Sequence, residues 1–310
     1  MQKPIPVNII FDTDIAPDYD DVGALAMLHA FADKGEAKIL ATISSNAFET
    51  TAPTLSVINT YYNRADIPIG VVKASKPYFN CPRLWAEGII AKYPHVIKTN
   101  KEAYDAVMLY RKILSVQPDK SVTIVTVGTL TNISNLLNSH PDKYSSFNGR
   151  QLIIKKVKRL VSMAAAIDST GSGGSETNIQ GDIPAAQNTF RNWPTSITLS
   201  GFEIGVNIFT GMNLIHNTSI KNSPIKDAYH IALSYDGNVE GHWSWDQTAV
   251  MIAVRGIKPY YNYRKISLAI KNDGKDTVIA GNRITYITFN QTPEMIAKVI
   301  EDLMMHEPRK

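Results

Sequence analysis

The chain has a single cysteine among its 310 residues, Cys81, so it can form no intrachain disulfide and no cysteine-rich metal site. The residues around Cys81 include nothing that would ionise a thiol, which favours an idle or buried side chain over a nucleophile. The sequence therefore excludes disulfide-stabilised scaffolds and zinc ribbons, and it argues against a thiol-dependent enzyme.

Long apolar runs and dense basic runs are also absent. No stretch reaches the roughly 18 apolar residues that span a bilayer, so we expect a soluble protein without a membrane partner. The first four residues lack the apolar core of a signal peptide, which indicates the cytoplasm, or the periplasm if a signal peptide has been removed. The net charge is only +4, and the richest basic run, from Lys155 to Arg159, is typical of a solvated turn. Nucleic acid is not an expected partner.

What the chain does have is the composition of an ordinary globular protein. Hydrophobic residues make up 44% and charged residues 19% of the sequence, which predicts a sizeable buried core. The length is within the range of one large α/β domain, and no internal repeat or low-complexity linker divides it. We therefore expect residues 1–310 to form a single domain.

The first half of the chain alternates β-branched apolar runs with helical patterns. The pattern predicts strands at 7–11, 39–43, 67–72 and 122–127, and helices at 24–31, 54–62 and 101–114. This β-α-β order is the signature of a parallel sheet covered by crossover helices. The sequence therefore predicts an α/β fold with a mostly parallel central sheet flanked by helices.

The second half carries weaker signals. It predicts a helix through Leu137 capped by a residue of 128–132, a strand at 160–165, a buried helix at 244–254, and a hairpin at 266–270 and 283–289 before a C-terminal helix. Gly171–Gly174 predicts a flexible loop, which is either a cover for a site or a plain connection.

Five carboxylates lie between the first predicted strand and the first predicted helix, at Asp12, Asp14, Asp18, Asp20 and Asp21. Ligands bind at the carboxyl ends of the strands in a parallel α/β sheet, so these acids lie where chemistry is expected. A hard divalent cation is the simplest way to stabilise carboxylates at this density. The acidic run therefore indicates a calcium or magnesium site.

Other interpretations of the acidic run explain less of it. An EF-hand is excluded, because the sixth position is Pro17 instead of Gly and the twelfth is Gly23 instead of Glu. Acids that favour a helix N-terminus would account for Asp20 and Asp21 at most. A phosphatase nucleophile pair would account for only the first two acids.

Further motifs follow in a definite order. After Asp12-Thr13-Asp14 and Asp20-Asp21 come Ser44-Ser45-Asn46, Val127–Asn132, Ser162-Met163, Glu176–Asn178 with Asp182, and Trp245–Ala249. The series resembles the inosine-uridine-preferring nucleoside hydrolase family over about residues 7–260. The first loop is longer than the commonest family version and has Ala16 where Gly is usual. The resemblance implies a nucleoside hydrolase-like fold with a Rossmann-like core.

The resemblance also implies a role for each matching position. The ligands of a calcium ion, Ca2+, would be Asp14, Asp21, the backbone carbonyl of Val127, and Asp246. The contacts to the sugar would be Asp20, Asn46, Met163, Glu176 and Asn178. Asp14 would also be the general base that takes a proton from the attacking water. The implied enzyme is an N-ribohydrolase that releases ribose and free base from a nucleoside, and it would be a homo-oligomer, a dimer or a tetramer.

One expected residue is missing, because a His often precedes the last calcium-binding acid in the family and Trp245 stands there instead. His242 could reach the site if the local backbone is helical, or it could be structural. Trp245 could instead stack on the substrate base, with Trp85, in a loop-like stretch, on the opposite face.

Three functions remain open on the sequence alone. The first is a calcium-dependent ribonucleoside hydrolase. The second is a hydrolase of a modified or non-nucleoside riboside, and the third is a ribose- or nucleoside-binding protein that has lost catalysis.

Overall fold

A computed structural model describes residues 5–73, 77–167 and 173–309 and places a nine-stranded sheet at the centre of the chain. The strands, in chain order, are β1 (Val7–Thr13), β2 (Ala37–Ser44), β3 (Ile69–Val71), β4 (Tyr104–Asp105), β5 (Val122–Thr126), β6 (Val157–Met163), β7 (Ser196–Ser200), β8 (Phe209–Thr210), β9 (His242–Trp243), β10 (Tyr261–Ile270) and β11 (Asp276–Phe289). β8 and β9 pair separately as a short antiparallel ribbon.

The order of strands across the sheet is β10-β11-β7-β6-β5-β1-β2-β3-β4. Neighbouring strands run parallel except β10 and β11, which form an antiparallel pair at one edge. β1 lies between β2 and β5, so the chain moves outward from β1 in opposite directions. In open α/β sheets, ligands bind at the carboxyl ends of the strands beside such a reversal.

Helices cover both faces of this sheet. They are α1 (Asp20–Asp33), α2 (Thr51–Tyr61), α3 (Trp85–Lys92), α4 (Ala106–Val116), α5 (Thr131–Leu137), α6 (Gly149–Lys156), α7 (Thr177–Gln180), α8 (Ile183–Asn192), α9 (Phe202–Gly205), α10 (Met212–His216), α11 (Pro224–Asp236), α12 (Trp245–Arg255) and α13 (Pro293–Met304). One hydrophobic core contains α1, α12 and α13, and a second contains α4, α5 and α8. None of these described helices has both the length and the apolar character that crossing a bilayer requires.

The central strand shows why the apolar runs are continuous. Ile9 and Phe11 belong to the core with α1, whereas Ile10 between them belongs to the core with α4. Side chains alternate between the faces of a strand, and both faces are covered here, so the three successive positions from Ile9 to Phe11 are all apolar. This confirms the predicted α/β class and its mostly parallel sheet.

The segments between β6 and α12 differ most from the sequence-based expectation. The pattern predicted no strand at β7 and none of the helices from α7 to α11. Trp85 was predicted in a loop-like stretch, but it begins α3 and is 0% exposed within the core. Of the predicted loop Gly171–Gly174, the first two residues lie outside the described part of the chain.

Candidate active site

A cleft opens at the carboxyl ends of β1, β5, β6 and β7, beside the first turn of α12. Its lining contains most of the site residues expected from the sequence, together with Pro17, Asp18, Thr177 and Phe202. The expected residues in the lining are Asp14, Asp20, Asp21, Val127, Met163, Glu176, Asn178, Trp245 and Asp246.

The floor of the cleft depends on a close approach between the ends of β1 and β5. The Val127 amide donates to the Asp12 carbonyl at 2.8 Å, which continues the pairing of the two strands past β5. A Cβ atom on Gly128 would lie 2.5 Å from the Asp14 amide nitrogen, so only glycine allows this approach. The Val127 carbonyl and the Asp14 carboxylate therefore reach the same floor.

Three carboxyl groups from two helices meet on this floor. Oxygens of Asp20, Asp21 and Asp246 all lie within 4.8 Å of one another, although Asp246 is far along the chain in α12. The Asp246 amide donates to Asp20 Oδ2 at 3.1 Å, and the Thr13 hydroxyl donates to Asp21 Oδ1. The first bond joins the first turns of α12 and α1, and the second joins α1 to the end of β1.

Burial and mutual repulsion oppose ionisation of the floor carboxyls. Burial, reinforced by neighbouring carboxylates, holds the pKa values of Asp14, Asp21 and Asp246 well above their usual range. Burial also raises the pKa of Asp20 to about 7, and Asp18 adds to the shift. None of the described residues in the lining is basic, so no side chain within the cleft compensates these charges.

The donor set fits a hard divalent cation. Carboxylate oxygens and a backbone carbonyl are the ligands that calcium prefers, and a cation among them would remove the repulsion between these groups. The donors suited to this role are Asp14, Asp21, the Val127 carbonyl and Asp246, with Asp20 adjacent.

The opposite side of the cleft is formed by the polar segment at the start of α7. Glu176 caps α7, and its Oε1 accepts from the Asn178 amide at 2.7 Å. The Asn178 side-chain amide donates to the carbonyls of Val127 and Met163 at 3.0 and 3.1 Å. Burial raises the pKa of Glu176 to about 7, although the hydrogen bonds that it accepts from backbone amides lower the pKa in part. Asn178 thus connects this segment to the floor.

A ladder of hydrogen bonds from backbone amides to acidic side chains supports the segment at the start of α7. Three successive amides, those of Ala165, Ala166 and Ile167, each donate to an acid from a different element. The acceptors are Glu176 at 3.2 Å, Asp276 of β11 at 2.7 Å and Glu203 of α9 at 3.2 Å. The ladder therefore joins the cleft to the C-terminal hairpin.

Glu203 should make the stability of the protein fall as the pH rises from 4.5 to about 7. Burial raises the pKa of Glu203 from 4.5 to about 7, with Asp276 adding to the shift and Arg264 opposing it. The folded state therefore holds more protons than the unfolded state between these pH values, and stability is lost as the pH rises through that window. Glu203→Gln keeps an acceptor for Ile167 but cannot ionise. We expect its melting temperature, relative to the parent protein, to rise by roughly 2–5 °C between pH 5 and pH 8.

Differential scanning fluorimetry across that range measures this effect. Exposed Glu240→Gln is the matched control, since it makes the same substitution at the surface. An identical pH dependence for Glu203→Gln and the parent protein would contradict the assignment.

Asn46 and Asp12, which the sequence singled out, lie outside the cleft lining. The Asn46 side-chain amide donates to the carbonyls of Asp14 and Phe79 at 3.0 and 2.8 Å, and its oxygen accepts from the Phe79 amide. Asp12 accepts from the Tyr110 hydroxyl at 2.8 Å, and its burial raises its pKa to about 7. Asn46 thus fastens the loop after β1, and its expected contact with ribose stays a prediction.

Aromatic rings form the wall at the start of α12. The Trp245 and Phe202 rings stack with centroids 5.2 Å apart, and Trp245 Nε1 donates to the Phe202 carbonyl at 2.9 Å. A Cβ atom on Gly205 would lie 2.3 Å from Trp245 Cδ1, so glycine is required for this packing. Phe202 remains 40% exposed, which leaves apolar surface at the cleft mouth.

His242 lies behind the cleft instead of in its lining. It belongs to the extended ribbon strand β9 and is not helical, contrary to the condition under which it would reach the site. Its ring stacks on the Tyr19 ring with centroids 3.9 Å apart, and its Nε2 lies 2.6 Å from Asp18 Oδ1. Although burial opposes ionisation, His242 and Arg83 hold the pKa of Asp18 below its usual value. Asp18 is therefore an anion at the cleft mouth.

The structure also shows the positions of two side chains that the sequence left open. Trp85 lies in the core and outside the cleft lining, so the idea that it faces Trp245 across a substrate base is wrong. Cys81 is buried, and burial raises the pKa of its thiol to about 11, as expected for an idle side chain.

Comparisons with known proteins agree with this geometry. The sequence profile described as "Inosine-uridine preferring nucleoside hydrolase" matches residues 9–303. The chain is 30% identical to the pyrimidine-specific ribonucleoside hydrolase RihA of Enterobacter sp. (strain 638), over 70% of this chain and 64% of that protein. It is 29% identical to the non-specific ribonucleoside hydrolase RihC of Escherichia fergusonii, over 63% of this chain and 61% of that protein. The alignments thus span less than two thirds of these relatives.

Solved structures share the fold over nearly the whole chain. The purine-preferring ribonucleoside hydrolase from Gardnerella vaginalis superposes with a TM-score of 0.74 at 14% identity, over 96% of this chain and 99% of that one. The profile match extends past residue 260 and includes the C-terminal hairpin and most of α13. The chain belongs to the inosine-uridine preferring nucleoside hydrolase family.

Proposed function

We propose that the protein is a calcium-dependent N-ribohydrolase that cleaves the N-glycosidic bond of a ribonucleoside to give ribose and the free base. The observation that carries the proposal is the meeting of Asp14, the three floor carboxyls and the α7 segment in one cleft. The family membership of the chain supports the same activity.

Each group on the floor has a place in this reaction. Asp14 accepts a proton from the water that attacks the anomeric carbon, and it would hold the cation together with Asp21, Asp246 and the Val127 carbonyl. When bound, calcium supplies Lewis acidity that lowers the pKa of the attacking water. The remaining carboxylates stabilise the positive charge that develops on the sugar in an oxocarbenium-like transition state.

The sugar is oriented by polar groups on two sides. Asp20 Oδ2 is occupied by the Asp246 amide, which leaves its other oxygen for a ribose hydroxyl. Glu176 and Asn178 face the sugar from the α7 segment, and Met163 packs beside it. Asn46 is a further ribose contact, or it acts on the site indirectly, because its side-chain amide holds the loop after β1 through the Asp14 carbonyl.

Two other functions use the same cleft. A hydrolase of a modified riboside would keep the floor and change the aglycone end, where Trp245 and Asp18 lie. A binding protein would keep the floor and the sugar contacts without turnover. We further propose that residues 1–310 form a single domain and that the protein assembles as a homodimer or homotetramer.

A ribose-release assay separates these functions. The purified protein with calcium is incubated with inosine, uridine, cytidine and nicotinamide riboside, and free ribose is measured by a reducing-sugar reaction. We expect turnover of at least one riboside at roughly 1–10³ s⁻¹, the usual range for enzymes. Ribose binding by calorimetry without release from any riboside would favour the binding protein and contradict the proposal.

A further inference from the structure

We propose that the preferred substrates are ribosides whose aromatic leaving group carries a positive charge, as in an N-ribosylated pyridinium. This inference rests on the proposed function and names the substrate class of the same cleft. Three features of the aglycone end carry it: the lack of a proton donor, a fixed anion and an aromatic wall.

No described residue at the aglycone end is placed to protonate a leaving group. Trp245 stands at the start of α12, and its indole N–H is already donated to the Phe202 carbonyl. The nearby imidazole of His242 is outside the cleft lining, with its Nε2 against Asp18. Glu176, on the sugar side, accepts hydrogen bonds from the amides of Ala165 and Asn178. A neutral base leaving this cleft would take its proton from solvent.

The charge at the mouth of the cleft is negative. The Asp18 side chain is 35% exposed and lines the cleft, while its Oδ1 lies 2.6 Å from His242 Nε2 and 4.0 Å from Arg83 Nη1. Arg83 is itself fixed, because it donates to the Pro17 carbonyl at 2.7 Å and pairs with Asp236. These two basic groups hold Asp18 from behind, so its free side attracts a cation in the cleft.

The lining of the cleft as a whole is acidic. Six carboxyl groups line it, from Asp14, Asp18, Asp20, Asp21, Glu176 and Asp246, and the described lining contains no basic side chain. Asp18, held by His242 and Arg83, keeps its negative charge at the mouth even where the buried acids are neutralised. A positively charged substrate therefore gains binding energy that a neutral nucleoside does not.

The aromatic wall suits a flat cation. The stacked rings of Phe202 and Trp245 lie beside the anionic mouth, with centroids 5.2 Å apart. The face of an aromatic ring attracts a cation, and tryptophan does so most strongly. A planar pyridinium would place its ring against this wall while its charge faces Asp18.

The chemistry of such a substrate removes the need for an acid. Water oxygen attacks the anomeric carbon, the bond from that carbon to the pyridinium nitrogen breaks, and its electron pair neutralises the nitrogen. The leaving group departs as a neutral pyridine, and the proton lost by water passes to Asp14 and then to solvent. In a neutral nucleoside, the electron pair of the broken bond would give the departing base a negative charge, so the base requires a proton in order to leave.

The test compares kcat/KM for nicotinamide riboside, uridine and inosine with the calcium-loaded protein. We expect nicotinamide riboside to be preferred by at least about tenfold. Asp18→Asn should reduce the ratio of kcat/KM for nicotinamide riboside over uridine by about tenfold, the size of a single charge interaction near a surface. The exposed control Asp66→Asn should leave the ratio unchanged.

The outcomes separate the two proposals. If uridine or inosine is hydrolysed as well as nicotinamide riboside, the cationic preference is overturned and the ribohydrolase function stands. An unchanged ratio in a folded Asp18→Asn variant overturns the role of Asp18 as the selecting anion. If no riboside releases ribose, the proposed function itself fails.

Discussion

Asp14→Asn should lower kcat by roughly 10³–10⁴-fold while ribose still binds. Asp14 is buried on the cleft floor, and an asparagine of the same shape keeps an oxygen for the cation and for the sugar. An amide cannot accept the proton of the attacking water, so the loss should fall on the chemical step. Steady-state ribose release gives kcat, and calorimetry with ribose gives the binding constant.

The matched control is Asp12→Asn, two residues earlier on β1. Asp12 is buried against Tyr110 and Asn132, outside the cleft lining, and burial raises its pKa to about 7, so it is already partly protonated near neutral pH. Its kcat should stay within a few-fold of the parent value. Equal losses in the two variants would mean that Asp14 acts through the fold and not as the base.

Removal of calcium should abolish turnover and destabilise the protein. The floor carboxyls are buried together with raised pKa values, so a cation that binds them stabilises the folded state. A ligand at 100 times its dissociation constant adds about 2.7 kcal/mol to the free energy of unfolding, which corresponds to roughly 5–10 °C in melting temperature. Chelation followed by fluorimetry and ribose release measures these changes together.

Selective rescue identifies the ion. Calcium should restore turnover and melting temperature more fully than magnesium, because magnesium demands a tighter octahedral set of ligands. Asp246→Asn should weaken the rescue, whereas exposed Asp66→Asn should not. Full activity after exhaustive chelation would contradict a metal-dependent mechanism.

The sequence predicted the floor of the cleft better than its mouth. Asp14, Asp20 and Asp21 are close together because they lie at the end of a strand and the start of the next helix, which a periodic pattern shows directly. Asp246 lies far away in sequence and was identified only by the family resemblance. The separation of Asp12 from the cluster was not predicted, because it depends on the position of Tyr110 in α4.

The mouth depends on elements that leave no clear pattern. The strand β7 and the short helix α9 place Phe202, and the two-residue strand β9 places His242. An element of two to four residues is too short for a period to appear, so its existence follows from tertiary pairing. The alternation of polar and apolar residues from Ser196 to Ser200 is the signal in the sequence for β7, and Phe202 follows two residues later.

The ladder of three amides couples the edge of the sheet to the cleft. Through Asp276, the antiparallel hairpin at the edge of the sheet is bonded to the segment that carries Glu176. The hairpin itself lies outside the cleft lining. A substitution in this hairpin can therefore shift the segment that carries Glu176 without replacing any residue of the cleft lining.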